Sequence, residues 1–327
     1  MQSITRRGAV AGLTMLAVGA GFGAETSART LVVAHVLQED HPYHLMALRF
    51  QEELAAKDVG LTVEIFPAGQ LGNERTLLEA LQTGAVDITT VTSALTANFV
   101  PEFAALSLPF IFNDADHLFA AMDGEVGEVL SHALRREGFV KLGYGYGGVR
   151  DLYTHSPVAS LDDLSGKRVR TMESAVIIEA WERLGAAPTP VAWGDVYVAL
   201  QQRLVDGGEG TGVSYRSMGF DALAPHFTQI NYIFSWHNFI MSAGTFDALS
   251  AAQQEAVLAA GDVAVRFQRD VFLEQEEALL AELRERGVTI HQVADFDRWI
   301  ERIEPIFEAK APELGGIEWI DRIRNAQ

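Results

Sequence analysis

The side chains of this sequence best suited to chemistry are two arginines, an indole and a carboxylate. Arg150 follows YGYGG, Arg170 closes GKRVR, Trp193 follows PTPVA, and Glu209 lies inside VDGGEGTG. A guanidinium is a planar, permanently charged fork that meets a carboxylate through two parallel hydrogen bonds. An aromatic in a loop between a strand and a helix suits the wall of a ligand pocket. Glu209 cannot hold an anion, but it can orient a neighbouring arginine or accept hydrogen bonds from hydroxyls. No nucleophile with a base accompanies them: there is no GxSxG elbow and no SxxK, and the chain has no cysteine. The set points to binding an organic acid rather than transforming one. Each member also has a plainer reading: a strand-end arginine in solvent, a turn arginine on carbonyls, a core tryptophan. Asp195, beside Trp193, reads as a helix cap or dipole partner before it reads as a catalytic acid.

Other candidate chemistry is weaker. GGEGTG and GYGYGG are glycine-rich, but neither is GxxxxGK[ST], nor GxGxxG opening a helix, so no nucleotide or other cofactor is expected. His35, His41 and His44 lie close to Glu39 and Asp40, yet their spacing matches no HExxH-type pattern and no metal site is assigned.

The elements that must position these residues read as α/β. LVVAHVL (31–37), LTVEIFP (61–67) and VDITTV (86–91) read as strands. Helices between them start at His41-Pro42 and at the cap Asn73, the second stopping at Gly84. Strand–helix–strand–helix–strand in so short a span implies a largely parallel sheet, whose ligands bind where loops leave the strand ends. A helix is expected across about 115–136, then a strand over 139–148 entering a glycine turn. The pattern restarts near 149 with GKRVRTM (strand), ESAVIIEAWERLG (helix), PTPV (strand) and WGDVYVALQQRLV (helix). A long helix over roughly 249–287 either braces two domains or bends at Gly261.

The chain has 327 residues, 48% of them hydrophobic, and a net charge of −19, which suits a soluble two-domain protein. Such a surface repels nucleic acid and anionic lipid, so neither is expected as a partner, and an acid-binding site must be locally basic. Arg6 and Arg7 precede the short apolar run AVAGLTMLAVGAGFGA, with small Thr26 and Ala28 after it. This is the pattern of an export signal over residues 1–28, of twin-arginine or general type. The mature protein is expected in the periplasm.

Over essentially all of the mature chain the sequence resembles the extracytoplasmic solute-binding proteins of TRAP (tripartite ATP-independent periplasmic) transporters. The carriers are FPAGQLGNERTLLEALQTGAVDIT, VPEFAALSLPFIF, LGYGYGGVR, LDDLSGKRVRTM and LGAAPTPVAWGDVYVALQQRLVDGGE. The resemblance implies a two-domain periplasmic binding fold with hinge-crossing strands and a long bracing helix. It puts 30–148 plus 237–275 in domain I and 149–236 plus 276–327 in domain II. Arg170 matches the family's main carboxylate anchor, Arg150 the second arginine, Trp193 the cleft aromatic, and Glu209 the acid that supports the arginine. Thr92 and Ser93 match a loop facing the cleft, and Gln38, Glu39 and His41 lie on the first cleft loop. Tyr232 stands where the family often has histidine, and Trp236 completes the expected ligand-contacting set. Gly210 and Thr211 depart from the Asn, commonly followed by Pro, that often succeeds the acid, which removes a ligand-contacting amide.

The resemblance further implies capture of an organic acid and delivery to small and large membrane permease subunits. A hydroxylated monocarboxylate such as a sugar acid is preferred. A C4-dicarboxylate or a sulfonate is the alternative within the family, and an exported enzyme acting on an organic acid is the alternative class.

Overall fold

The structure, a computed structural model, describes residues 29–326; the expected export signal lies outside them. β1 (Arg29–Ala34), α1 (Pro42–Ala56), β2 (Leu61–Phe66), α2 (Glu74–Thr83) and β3 (Ile88–Thr92) follow the anticipated alternation. The local signals act physically as read. Asn73 caps α2 by accepting the Thr76 N–H at 3.0 Å. Gly84 ends that helix at φ 74°, a left-handed conformation that glycine adopts without steric cost.

After the short α3 (Ser93–Thr96), the segment expected as one helix over 115–136 is two, α4 (Ala115–Asp123) and α5 (Glu125–Arg136). Gly124 between them is extended, with φ −102° and ψ −157°, which no continuous helix allows. Two long antiparallel strands follow, β4 (Phe139–Thr154) and later β8 (His226–Ser242). Between them lie β5 (Arg168–Thr171), α6 (Ala175–Arg183), β6 (Ala187–Pro190), α7 (Val196–Gln201), β7 (Gly207–Thr211) and α8 (Gly212–Ser217). The chain ends with α9 (Ala243–Asp247), α10 (Ala251–Glu285), β9 (Thr289–Gln292), α11 (Phe296–Ile303), α12 (Pro305–Lys310) and α13 (Ile317–Arg324).

The sheet order is β2-β1-β3-β8-β4-β7-β5-β6, with β9 added to β8. Two three-stranded parallel wings, β2-β1-β3 and β7-β5-β6, thus flank an antiparallel pair that runs through both. β3 pairs with the carboxyl end of β8, from His237 to Met241. β7 pairs with the carboxyl end of β4, from Arg150 to Thr154. This is the expected α/β fold: two lobes joined by crossing strands.

The strand expected over 139–148 forms, but it meets no glycine turn: β4 runs on to Thr154, with register shifts between Lys141 and Gly143, Tyr146 and Val149, and Arg150 and Leu152. VDGGEGTG contains the buried strand β7. α10 continues through Gly261 for 35 residues and carries a capping box at Ser250 and Gln253. It packs on α1, β4 and α8, and so touches both lobes. No helix among the described residues is long and apolar enough to cross a membrane.

Candidate ligand-binding site

The strand ends of both wings converge on one cavity. From the β1–β3 wing come Val36, Leu37, Tyr43, Glu74 and Thr92; from the other side come Arg150, Arg170, Met172, Trp193, Thr211 and Ser214, with His237 on β8. About 410 Å³ of space free of protein atoms, the open mouth included, lies among them. A second chamber, reached past Arg170, Glu74, Met172 and Trp193, is lined by Asn73, Arg75 and Glu173.

Both arginines are buried, and their hydrogen bonds divide their roles. Arg150 sits on β4 just past the bulge, where it pairs with Thr211 of β7. Its Nε donates to Glu209 Oε2 at 2.6 Å and its Nη2 to the Glu209 carbonyl oxygen at 3.3 Å. Arg170, on β5, donates from Nε and Nη2 to the Val191 carbonyl oxygen at 2.9 and 2.7 Å. Its Nη1 is buried without a hydrogen-bond partner among the described residues, 3.9 Å from Glu209 Oε1. The guanidinium lies over the Trp193 ring, 5.3 Å from the centroid, a cation–π contact. Arg168, two residues earlier on β5, lies in a different environment: it is exposed and paired with Asp206 at 2.8 Å.

Glu209 is fully buried. Burial opposes its charge, but the Arg150 guanidinium, the Arg170 charge and the Tyr232 hydroxyl hold its carboxyl below the usual range. Burial equally opposes the Arg150 cation, and the Glu209 carboxylate more than offsets it. Arg170 has no such close partner, and burial lowers its pKa; a guanidinium stays charged regardless. A buried cation with one N–H pair unspent is a costly arrangement that a carboxylate would relieve.

The other expected residues divide. Thr92 lines the cavity, and its N–H donates to Glu74 Oε1 at 2.7 Å. Ser93 is buried at the start of α3 and is not part of the lining. His41 and Gln38 reach across the cleft: His41 Nε2 lies 3.0 Å from Ser214 Oγ, and Gln38 Nε2 donates to Met218 Sδ at 3.7 Å. Glu39 is exposed; its neighbour Asp40 makes the cross-cleft contact instead, accepting from Ser217 Oγ at 2.5 Å. Tyr232 sits beneath the cavity, donating to Glu209 and accepting from Trp181 Nε1 at 3.4 Å. Trp236 is core, packed on Tyr144 at 4.7 Å and donating to Asn238 Oδ1 at 3.1 Å. Asp195 is exposed and makes no side-chain cap bond. At the departure from the family pattern Thr211 faces the cavity and donates to Ser214 Oγ at 2.9 Å. His35 and His44 hydrogen-bond each other at 3.2 Å, and burial pushes His35 down to about 3.

Sequence reasoning missed Glu74, Tyr43, Ser214 and His237. Glu74 reads as an ordinary first-turn acid of α2, and only the fold aims it inward. Its carboxyl is raised by burial, against the pull of the Thr92 N–H and of Arg170 and Arg150.

The family model for bacterial extracellular solute-binding proteins, family 7, matches residues 33–312. The chain belongs to this family. Its members are substrate-binding proteins of transport, extracytoplasmic and, in a relative from Rhodobacter capsulatus, periplasmic. Solved family structures superpose over nearly the whole chain. The galactonate complex of a sugar acid binding protein from Advenella mimigardefordensis is 26% identical, with a TM-score of 0.89 over 91% of this chain and 97% of that one. A TRAP periplasmic solute-binding protein from Bradyrhizobium with galacturonate is 32% identical, with a TM-score of 0.87 over 91% and 100%. A third, from Sulfurospirillum deleyianum with bound succinate, is 27% identical, with a TM-score of 0.88 over 92% and 100%.

Proposed function

We propose that this chain is the periplasmic solute-binding subunit of a TRAP-type secondary transporter, and that its ligand is a hydroxylated monocarboxylate such as a sugar acid. Residues 1–28 act as a removable export signal. The domains comprise 30–148 plus 237–275 and 149–236 plus 276–327. The lobes close on the ligand, and the closed form docks on the small and large permease subunits, where an ion gradient supplies the energy. The ligand leaves chemically unchanged.

The observation that carries this reading is the Nη1 of Arg170, buried at the cavity with no hydrogen-bond partner among the described residues. It supports anchoring of one carboxylate, with Arg150 and Glu209 as the fixed charge framework behind it. Trp193 Nε1, also without a hydrogen-bond partner among the described residues, and the hydroxyls of Thr92, Thr211 and Ser214 along the wall suit a ligand rich in hydroxyls. Galactonate and galacturonate in two of the neighbours agree with that class. Succinate in a third favours a C4-dicarboxylate as the second reading.

The test is titration calorimetry with a panel of sugar acids, hydroxy acids and dicarboxylates, with the ligand recovered and identified afterwards. Arg170→Ala is expected to weaken binding by about a hundredfold or more, since a charged hydrogen-bonded pair is lost from a buried site. Unimpaired affinity in that variant, or a recovered product differing from the ligand added, refutes the proposal.

A further inference from the structure

Glu74 is an acid in a cleft built to hold acids, and the carboxylate anchor makes no use of it. It lines both chambers of the cavity, on the wall facing Arg170 and Trp193. Its Oε1 is committed to the Thr92 N–H at 2.7 Å. Its Oε2 has only a long contact, 3.5 Å from Thr92 Oγ1, and so retains acceptor capacity. The cations that line the main cavity are Arg150 and Arg170, and Arg150 is already bonded to Glu209. Arg75, in the second chamber, is tied to Glu173 by two hydrogen bonds of 2.9 and 2.8 Å. One carboxylate is therefore matched by an available guanidinium, and a second would meet Glu74.

We infer that Glu74 is the specificity-determining residue of this site: it accepts a hydrogen bond from a ligand hydroxyl and excludes ligands with a second carboxylate. The inference rests on the sugar-acid reading above and deepens it. A carboxylate is an acceptor-only group when ionised, so it rewards a hydroxyl donor and penalises another acceptor. In a water-poor cleft, setting like charges together is among the strongest means of rejecting a wrong partner.

The test compares galactonate with succinate on wild type, Glu74→Gln and Glu74→Asp by calorimetry, with thermal melts as the folding control. Gln keeps an oxygen for the Thr92 N–H and removes the charge; Asp keeps the charge and withdraws it by one methylene. Wild type is expected to bind galactonate at least about a hundredfold more tightly than succinate. Glu74→Gln should narrow that ratio about tenfold or more, chiefly by gaining succinate affinity, and Glu74→Asp should preserve it. Equal loss for both ligands in Glu74→Gln would assign the residue a structural role and overturn the inference, while the sugar-acid reading stands. Equal narrowing in the Asp variant also overturns it, because charge would not be the cause. A wild type that prefers succinate overturns both.

Discussion

Arg150 and Arg170 carry the same side chain, and their neighbours give them different work. Glu209 and Tyr232 immobilise Arg150, so it contributes charge and rigidity; Arg170 is clamped by one carbonyl and keeps a free edge. Residue type suggests both arginines and Trp193, the family resemblance singles them out, and the fold brings all three to the cavity. Glu74 and His237 are not legible, since their roles depend on which wing each strand joins. The same dependence appears at Asp151. Its Oδ1 accepts the N–H groups of Ile230 and Asn231, both at 2.8 Å, where β8 bulges away from β4. Burial outweighs those two bonds and pushes its carboxyl up to about 7 from the ordinary 3.8. The folded state therefore holds this proton more tightly than the unfolded chain does. The resulting stability is complete below pH 4 and is lost as pH rises through 7. Asp151→Asn keeps the oxygen that takes both N–H groups and cannot ionise. Its Tm relative to wild type should rise by a few degrees between pH 5 and pH 8, at under about 2 °C per kcal/mol for a protein of this size. A Tm difference that stays constant across that range rules out the buried ionisation.

At the scale of elements, the glycines of GYGYGG serve packing. Gly143 and Gly145 lie in β4, where their missing side chains let α10 approach, and Gly147 leaves room for His237 and Ser235 of β8. A Cβ at Gly143 would stand 2.6 Å from Val265 Cγ1, and one at Gly145 2.9 Å from Gln268 Oε1. α10 also completes the strand's hydrogen bonding where the bulge breaks pairing. Gln268 accepts the Tyr146 N–H at 3.0 Å and donates to its carbonyl at 2.6 Å; Glu276 accepts the Val149 N–H at 2.9 Å. Such pairing is needed because an unmet backbone group inside the protein is expensive. The length of α10 was legible from its lack of breakers. Its seat was not, because the seat is a set of absences on another element. Gly261 tests that seat. Alanine there is favoured by helix propensity, by about 1 kcal/mol. Its Cβ would meet the Leu142 carbonyl oxygen at 2.7 Å and Leu142 Cβ at 2.9 Å, and overpacking against backbone costs about 1–3 kcal/mol. The steric term wins, so Gly261→Ala should lower the urea midpoint without changing the slope. A raised midpoint would show that α10 has room to move away from β4.

At the scale of the whole molecule, a protein of net charge −19 must attract an anion into its interior. The long-range field opposes this, and the buried guanidiniums act only at short range, so closure of the lobes has to complete the site. The structure is held shut by contacts between residues distant in sequence. Arg75 of α2 pairs with Glu173 beside β5 at 2.8 Å, and Asn98 Nδ2 donates to the Glu173 carbonyl oxygen at 2.9 Å. On the other side of the cleft, Asp40 meets Ser217 and His41 meets Ser214. The Arg75–Glu173 pair makes no hydrogen bond to Arg150, Arg170 or Glu209, so it should govern chiefly how long the cleft stays closed. Arg75 and Glu173 each expose 42% of their side chains; solvent screening limits such a pair to about 0–1 kcal/mol, a few-fold in rate. Arg75→Ala is therefore expected to speed ligand release about two- to fivefold in stopped-flow displacement, with little change in ligand preference. Added salt should speed release from wild type and leave the variant nearly unaffected, because the screened pair is already gone. A double-mutant cycle with Glu173→Ala locates the effect: coupling in the release rate places the pair in the closed state, whereas independent effects of the two substitutions would mean that the lobes are held together elsewhere.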